Sequence, residues 1–169
     1  GKWVGGCTPF GYTKDPKDKN HLIPDSKEAP IVKEIFRLAG NGMTYYQIKD
    51  KLTKDNVPTM CLLRDNKRVG EMSRKGIWSS KTVKGILSNE LYLGDMVQNR
   101  RSRISYKIRK VVPNDKDDWI IVKNTHEALV DRKTFDKVQE MLKNCKVKPH
   151  KEIYRLLDGI LFCGDCKHK

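Results

Sequence analysis

The sequence predicts an α+β fold: a helical unit, then a small antiparallel β-sheet, then a C-terminal helix. Three observations predict it. Apolar residues recur at helical spacing in separate stretches before residue 90 and again after residue 131. The period shifts toward two between residues 91 and 122. Each helical stretch also opens on a side chain able to cap it, namely Ser26 or Asp25, Thr44, Ser79 and Asp131.

Residues 1–25 carry Gly5, Gly6, Pro9, Gly11, Pro16 and Pro24 and read as an irregular arm ending in a turn and a short Leu22-Ile23 edge. The first helix is expected over 27–39. Pro30 falls near its first turn, where a missing N–H costs least, and Gly40 and Gly42 stop it. Its stripe is Ile31, Val32, Ile35, Phe36, Leu38 and Ala39. Thr44-x-x-Gln47 has the capping-box form and starts a second helix, with Ile48 and Leu52 inward and an end at Asn56, Val57 and Pro58. Residues 59–76 form a long cationic loop with Arg64, Lys67, Arg68, Arg74 and Lys75, a length that suits a functional or mobile segment.

A third helix is expected over 80–88. With Ser79 at the N-cap, Trp78 and Val83 take the positions of a hydrophobic staple. Val83, Ile86 and Leu87 share its back, and Lys81, Lys84, Gly85 and Ser88 its front. Gly85 costs such a helix ~1 kcal/mol relative to Ala, a cost that close approach of another backbone would offset. Strands are expected over 92–98, 105–112 and 119–122, with an acidic turn over 113–118. Phe135, Val138, Met141 and Leu142 give the buried face of a last helix over 131–144.

This order of elements is that of a winged helix-turn-helix, in which the later helix enters the DNA major groove and the hairpin lies along the backbone. Charge supports a polyanionic partner: 35 Lys+Arg stand against 21 Asp+Glu, a net +14. Ser80, Lys81, Thr82, Lys84 and Ser88 are candidate donors to phosphates or base edges, with Arg74 and Lys75 just upstream. The basic run Arg100, Arg101, Arg103, Lys107, Arg109 and Lys110 contains no acidic residue, and its alternation with Ser102, Ile104, Tyr106 and Ile108 fits a strand with one cationic face. Such a face either tracks phosphates or is a solvated edge that blocks aggregation. Lys2 and its neighbours either follow a minor groove or form a loose chain end.

Other chemistry is sparse. Cys163-x-x-Cys166 has the spacing of one zinc knuckle and supplies half of a tetrahedral site. Five cysteines, mostly isolated, do not form a secreted disulfide framework, so a reducing cytoplasm is expected. No apolar run approaches the ~20 residues that span a bilayer, and no membrane partner is expected. His126-Glu127 lacks the following His of a zinc protease, and His126 reads as structural. No phosphate loop or nucleophile elbow is present, so no catalytic residue and no small-molecule substrate is assigned.

Several segments, in order, resemble the large serine recombinases, the phage integrases and mobile-element transposases of that class. They are Pro9-Phe-Gly-Tyr12, Glu28-Ala-Pro-Ile-Val32 with Ile35-Phe36, Gly42-Met-Thr44, Thr82-Val83 with Ile86-Leu-Ser-Asn89, Tyr92-x-Gly94, His126-Glu-Ala-Leu-Val130 and Gly159-Ile-Leu-x-Cys163-Gly-x-Cys166. The resemblance implies a multi-domain enzyme whose catalytic serine forms a 5′-phosphoserine link to DNA. Nothing in this chain matches that catalytic domain, so this piece is expected to be non-enzymatic and the parent protein an enzyme. It divides the chain into an arm or linker (1–25), a DNA-binding domain (26–148) and the start of a truncated zinc ribbon (149–169). The implied function is recognition of attachment-site DNA for integration or excision of a mobile element. The implied partners are double-stranded DNA and other recombinase subunits. No cofactor is expected in this piece and zinc in the full-length parent. A winged-helix transcription regulator and a basic RNA-binding module are the alternatives.

Overall fold

The computed structural model describes residues 2–64, 75–108 and 110–144. The first element differs from the expected irregular arm. Strands β1 (Tyr12–Lys14) and β2 (Leu22–Pro24) pair antiparallel, Tyr12 opposite Pro24 and Lys14 opposite Leu22. Tyr12 and Leu22 are fully buried beneath the helices, and Phe10 is buried beside them. Three-residue strands are too short to show a period, which is why punctuation dominates the reading of this segment.

Helix α1 (Ala29–Gly40) starts two residues later than the expected 27–39, because the Asp25 carboxylate accepts from the N–H groups of Lys27 and Glu28 (2.9 Å each) and holds those residues in a preceding turn. Helix α2 (Tyr45–Lys54) carries the expected reciprocal capping box. Gln47 N–H donates to Thr44 Oγ1, and Thr44 N–H donates to Gln47 Oε1 at 2.9 Å. Within the expected loop, Met60–Leu63 forms a single helical turn, α3, anchored by buried Cys61. Helix α4 (Ser80–Leu87) has Ser79 as its N-cap, accepting from Lys81 N–H. The last helix, α5 (Arg132–Asn144), begins where the Asp131 carboxylate accepts from Thr134 N–H and Oγ1–H. These two bonds hold the Asp131 carboxyl below its usual range.

The core joins these pieces. Val32, Ile35 and Phe36 of α1 meet Ile48 and Leu52 of α2, Val83 and Leu87 of α4, and Phe135 and Val138 of α5. Tyr92 ties them to the hairpin. Its ring stacks on Tyr12 (6.0 Å), and its hydroxyl donates to Phe10 O at 2.8 Å. Burial pushes both phenols well above their ordinary range, so both remain donors.

The expected three strands are replaced by a different arrangement. Glu90–Leu93 is a turn of 3-10 helix, capped by Asn89 and ended by Gly94 at φ +83°. Beyond it β3 (Met96–Gln98) pairs with β6 (Ile120–Val122), and β4 (Arg101–Arg103) pairs with β5 (Val111–Pro113). Both pairings are antiparallel and nested, so the chain builds a two-stranded ribbon that leaves the body and returns. Residues 99–100 interrupt it on one strand and residues 114–119 on the other. The expected strand over 105–112 is corrected accordingly: the outgoing strand is Arg101–Arg103 and the outer end of the ribbon falls between it and Val111.

Candidate nucleic-acid interface

Helix α4 presents its cationic front because its back is fixed. Val83, Ile86 and Leu87 are buried, and Trp78, 3% exposed, holds the helix entry. The Trp78 indole N–H donates to Val57 O (2.9 Å), its backbone N–H to Thr53 Oγ1 (3.2 Å), and its ring meets Phe10 edge-on at 5.8 Å. At the far end Gln139 of α5 donates to Leu87 O at 2.6 Å. Lys81, Thr82, Lys84 and Gly85 are exposed and Ser80 is half-buried. The Lys84 ammonium stands 5.7 Å from the Tyr45 ring centroid, a contact that steers the side chain without burying it.

Ser88 is half-buried at the end of the helix, and its hydroxyl donates to Lys84 O at 2.8 Å.

The ribbon brings part of the basic run beside α4. Gly85, Ser88 and Asn89 form one side of an open cleft of about 570 Å³, and Arg100, Arg101, Pro113 and Trp119 the other. Arg100 lies 4.7 Å over the Trp119 ring, which sets its direction. The break in the ribbon is latched at this point by side-chain amides. Asn114 Nδ2 donates to Asn99 O (2.9 Å), Asn99 Nδ2 to Asp118 O (2.9 Å), and Trp119 Nε1 to Asn114 O (3.2 Å). Asn99 takes φ +58°, a region Asn tolerates better than most residues. Sequence reasoning missed this latch, since its two asparagine-amide bonds join residues 15 and 19 positions apart.

The remaining predicted residues are more dispersed. Arg103 is exposed on β4, and Lys107 and Lys110 are exposed toward the outer end of the ribbon, where the Lys107 ammonium lies 5.6 Å from the Tyr106 ring. Lys75 is exposed before Gly76, and Lys2 is exposed next to Trp3, whose N–H donates to Asn20 O at 2.7 Å. Arg74, Arg109, Cys163 and Cys166 lie outside the described residues. Among the described residues no group of three or more His, Cys, Asp and Glu side chains converges to hold a metal ion. No helix among them is long and apolar enough to cross a membrane.

Two buried polar centres hold these elements in place. Glu28, 3% exposed, accepts from Gly11 N–H (2.9 Å) and pairs with the Arg64 guanidinium, which also donates to Thr8 O, Pro9 O and Tyr12 O at 2.8–3.1 Å. His126 Nε2 lies 2.8 Å from Leu91 O, which can only accept, so Nε2 carries the hydrogen. Burial lowers the His126 pKa below its ordinary value and keeps the ring neutral. Its role is structural, as its isolation in the sequence suggests.

Fold and surface together define an α+β domain that holds a rigid helix and an arginine-bearing ribbon side by side. Its architecture is shared with two solved structures, each 20% identical in sequence and each matching 99% of this chain. One is an LSR–DNA complex (TM-score 0.55, 43% of that chain covered), and the other comes from a study of the sequence requirements of the Listeria innocua prophage attP site (TM-score 0.54, 57% covered). The family model described as Recombinase matches residues 26–144. The chain belongs to this recombinase family, which bears out its resemblance to the large serine recombinases. Cytochrome P450 CYP71D313 of Panax ginseng is 30% identical over 112 residues, 65% of this chain and 21% of that protein. The chain therefore spans about a fifth of that curated relative and about half of the solved structures it resembles.

Proposed function

We propose that this chain is the DNA-docking domain of a serine site-specific recombinase. It forms a winged helix-turn-helix-like unit that recognises attachment-site DNA for a mobile element. In this reading α4 enters the major groove and donates from Lys81, Lys84 and Thr82, while the ribbon lies along the sugar–phosphate backbone. The observation that carries it is the division of α4: Val83 and Leu87 are wholly buried while Lys81, Thr82, Lys84 and Gly85 all face solvent on the other side. A helix with side chains is about 10–12 Å across and fills a major groove about 12 Å wide, so it must be held from behind and unobstructed in front. The DNA complexes among its structural neighbours support the partner class. Serine chemistry belongs to another part of the full-length protein, as does assembly with further recombinase subunits. A zinc ribbon there would draw two thiolates from Cys163 and Cys166.

Enrichment of a random-sequence duplex pool on this chain tests the reading. A preferred site should emerge, and structured RNA should compete poorly, because an A-form major groove does not admit a helix. Replacing Lys81 and Lys84 by Ala should weaken the enriched site by roughly tenfold or more and unrelated duplex by less. Equal losses on both would remove the reading role, and better competition by RNA would remove DNA as the partner.

A further inference from the structure

Gly85 is a residue of α4 whose identity the protein's own packing does not explain. It lies in mid-helix with no positive φ, so conformation does not require glycine. A Cβ built there meets no atom within 4 Å, so packing does not require it either. The position weakens the helix and gives nothing back within the domain. Gly85 also lies on one turn-to-turn ridge with Lys81 and Ser88, opposite the buried Val83 and Leu87. Along that ridge it lines the cleft whose far wall holds Arg100 and Arg101.

We propose that this cleft seats the sugar–phosphate backbone of one DNA strand. Gly85 lines its helix side and the two guanidinium groups bind a phosphate from the ribbon side. The inference rests on the duplex-binding reading above and adds the place where a groove wall is gripped. A helix that fills a major groove has a phosphate strand along each flank. On the flank toward the ribbon, a side chain at position 85 would hold that strand out of arginine reach. Glycine lets the backbone settle against the helix, as glycines do wherever another backbone must come close. Arg100 is aimed by its contact with Trp119, so its guanidinium is positioned before DNA arrives, and Arg101 follows it on β4 with its backbone paired opposite Pro113. Gly85 is thus a positioning residue for the phosphate contact.

The test uses the whole chain and the duplex it enriches. Gly85→Ala should raise the melting temperature by about 3 °C, because the helix gains and nothing clashes, and should nonetheless weaken binding. Gly85→Gln should weaken binding roughly tenfold or more. It should also lower the slope of log affinity against log salt by about one to two units, although no charge has changed, since the strand is displaced from the arginines. Placed on an Arg100→Ala/Arg101→Ala background, Gly85→Gln should have little further effect, because the contact it disrupts is already gone. Wild-type affinity and slope for Gly85→Gln would overturn the cleft while leaving the Lys81 and Lys84 reading intact. A changed base preference with an unchanged slope would place a base edge over Gly85 instead, and overturn it too. Failure of the wild-type chain to enrich any duplex would remove both the reading and the cleft.

Discussion

Replacing Arg64 by Ala should be among the most damaging single changes in this domain. The guanidinium pairs with a carboxylate that is only 3% exposed and also satisfies three backbone carbonyls between Thr8 and Tyr12. Its removal leaves the Glu28 carboxylate buried, with Gly11 N–H as its remaining long-range partner among the described residues. An uncompensated buried charge of this kind costs about 3–5 kcal/mol, a large part of the 5–15 kcal/mol or so that holds a typical domain. Glu28→Gln removes the charge but keeps an acceptor for Gly11 N–H, and should cost less, about 1–3 kcal/mol. Combining the two should cost less than the sum, because the second change relieves what the first one strands. Urea unfolding followed by circular dichroism measures all three. The clamp also reaches α4, since it fixes the segment that carries Phe10 against Trp78. Arg64→Ala should therefore weaken duplex binding even where the domain remains folded. If Arg64→Ala unfolds within about 1 kcal/mol of wild type, the pair is a surface ornament and this account of the hairpin is wrong.

Two further outcomes follow from the turn behind α4. Gly94 takes φ +83°, and a Cβ there would stand 2.7 Å from His126 O, so Gly94→Ala should cost about 2–4 kcal/mol in thermal or urea unfolding, and a neutral result would refute the strain argument. His126 has its pKa lowered by folding, so the unfolded chain binds the proton more tightly. Its contribution to stability is complete above the unfolded value of about 6.5 and is lost as pH falls from there through the folded value. Urea midpoints measured from pH 7.5 to 5 should fall less steeply for His126→Gln than for wild type, and parallel curves would show that His126 is not the titrating group.

The helices were legible because their information is local. Thr44 and Gln47 cap α2 across three residues, Ser79 starts α4, and the stripes of α1 and α5 repeat within a few turns. The exposed face of α4 could be named for the same reason: once its back is known, its front is known. What escaped depends on distant partners. Tyr92 and Leu93 read as strand by their period, yet their backbone is a 3-10 turn held by His126 and by Leu129 N–H donating to Tyr92 O, more than 30 residues away. Arg64 looked like one cation among five in a polar loop, and nothing local marks it as the partner of Glu28, 36 positions back. The cleft was hidden too, because the nested pairing of the ribbon decides which arginines stand beside Gly85.

That ribbon carries a physical problem whose solution ranks its cations. Two strands alone are marginal in water, and a binding group on a loosely ordered strand spends part of its interaction energy on ordering. The inner pair is anchored at its base, where Met96 is buried and Asp95 accepts from Arg132 of α5 at 2.7 Å. The amide latch at Asn99 and Asn114 carries this order just beyond the interruption, and Ser102 Oγ donates to Asn114 Oδ1 at 2.7 Å. Arg100 and Arg101 lie directly at the latch. Lys107 and Lys110 lie farther out, among exposed Ile104, Tyr106 and Ile108 with no core behind them. A phosphate gripped at the latch is met by groups already in place, whereas one gripped at the outer end must first immobilise the strand that reaches for it. If the chain docks on a duplex as proposed, register would be set where α4 and the latch converge, and the outer lysines would act chiefly as long-range attraction, the component that salt screens first.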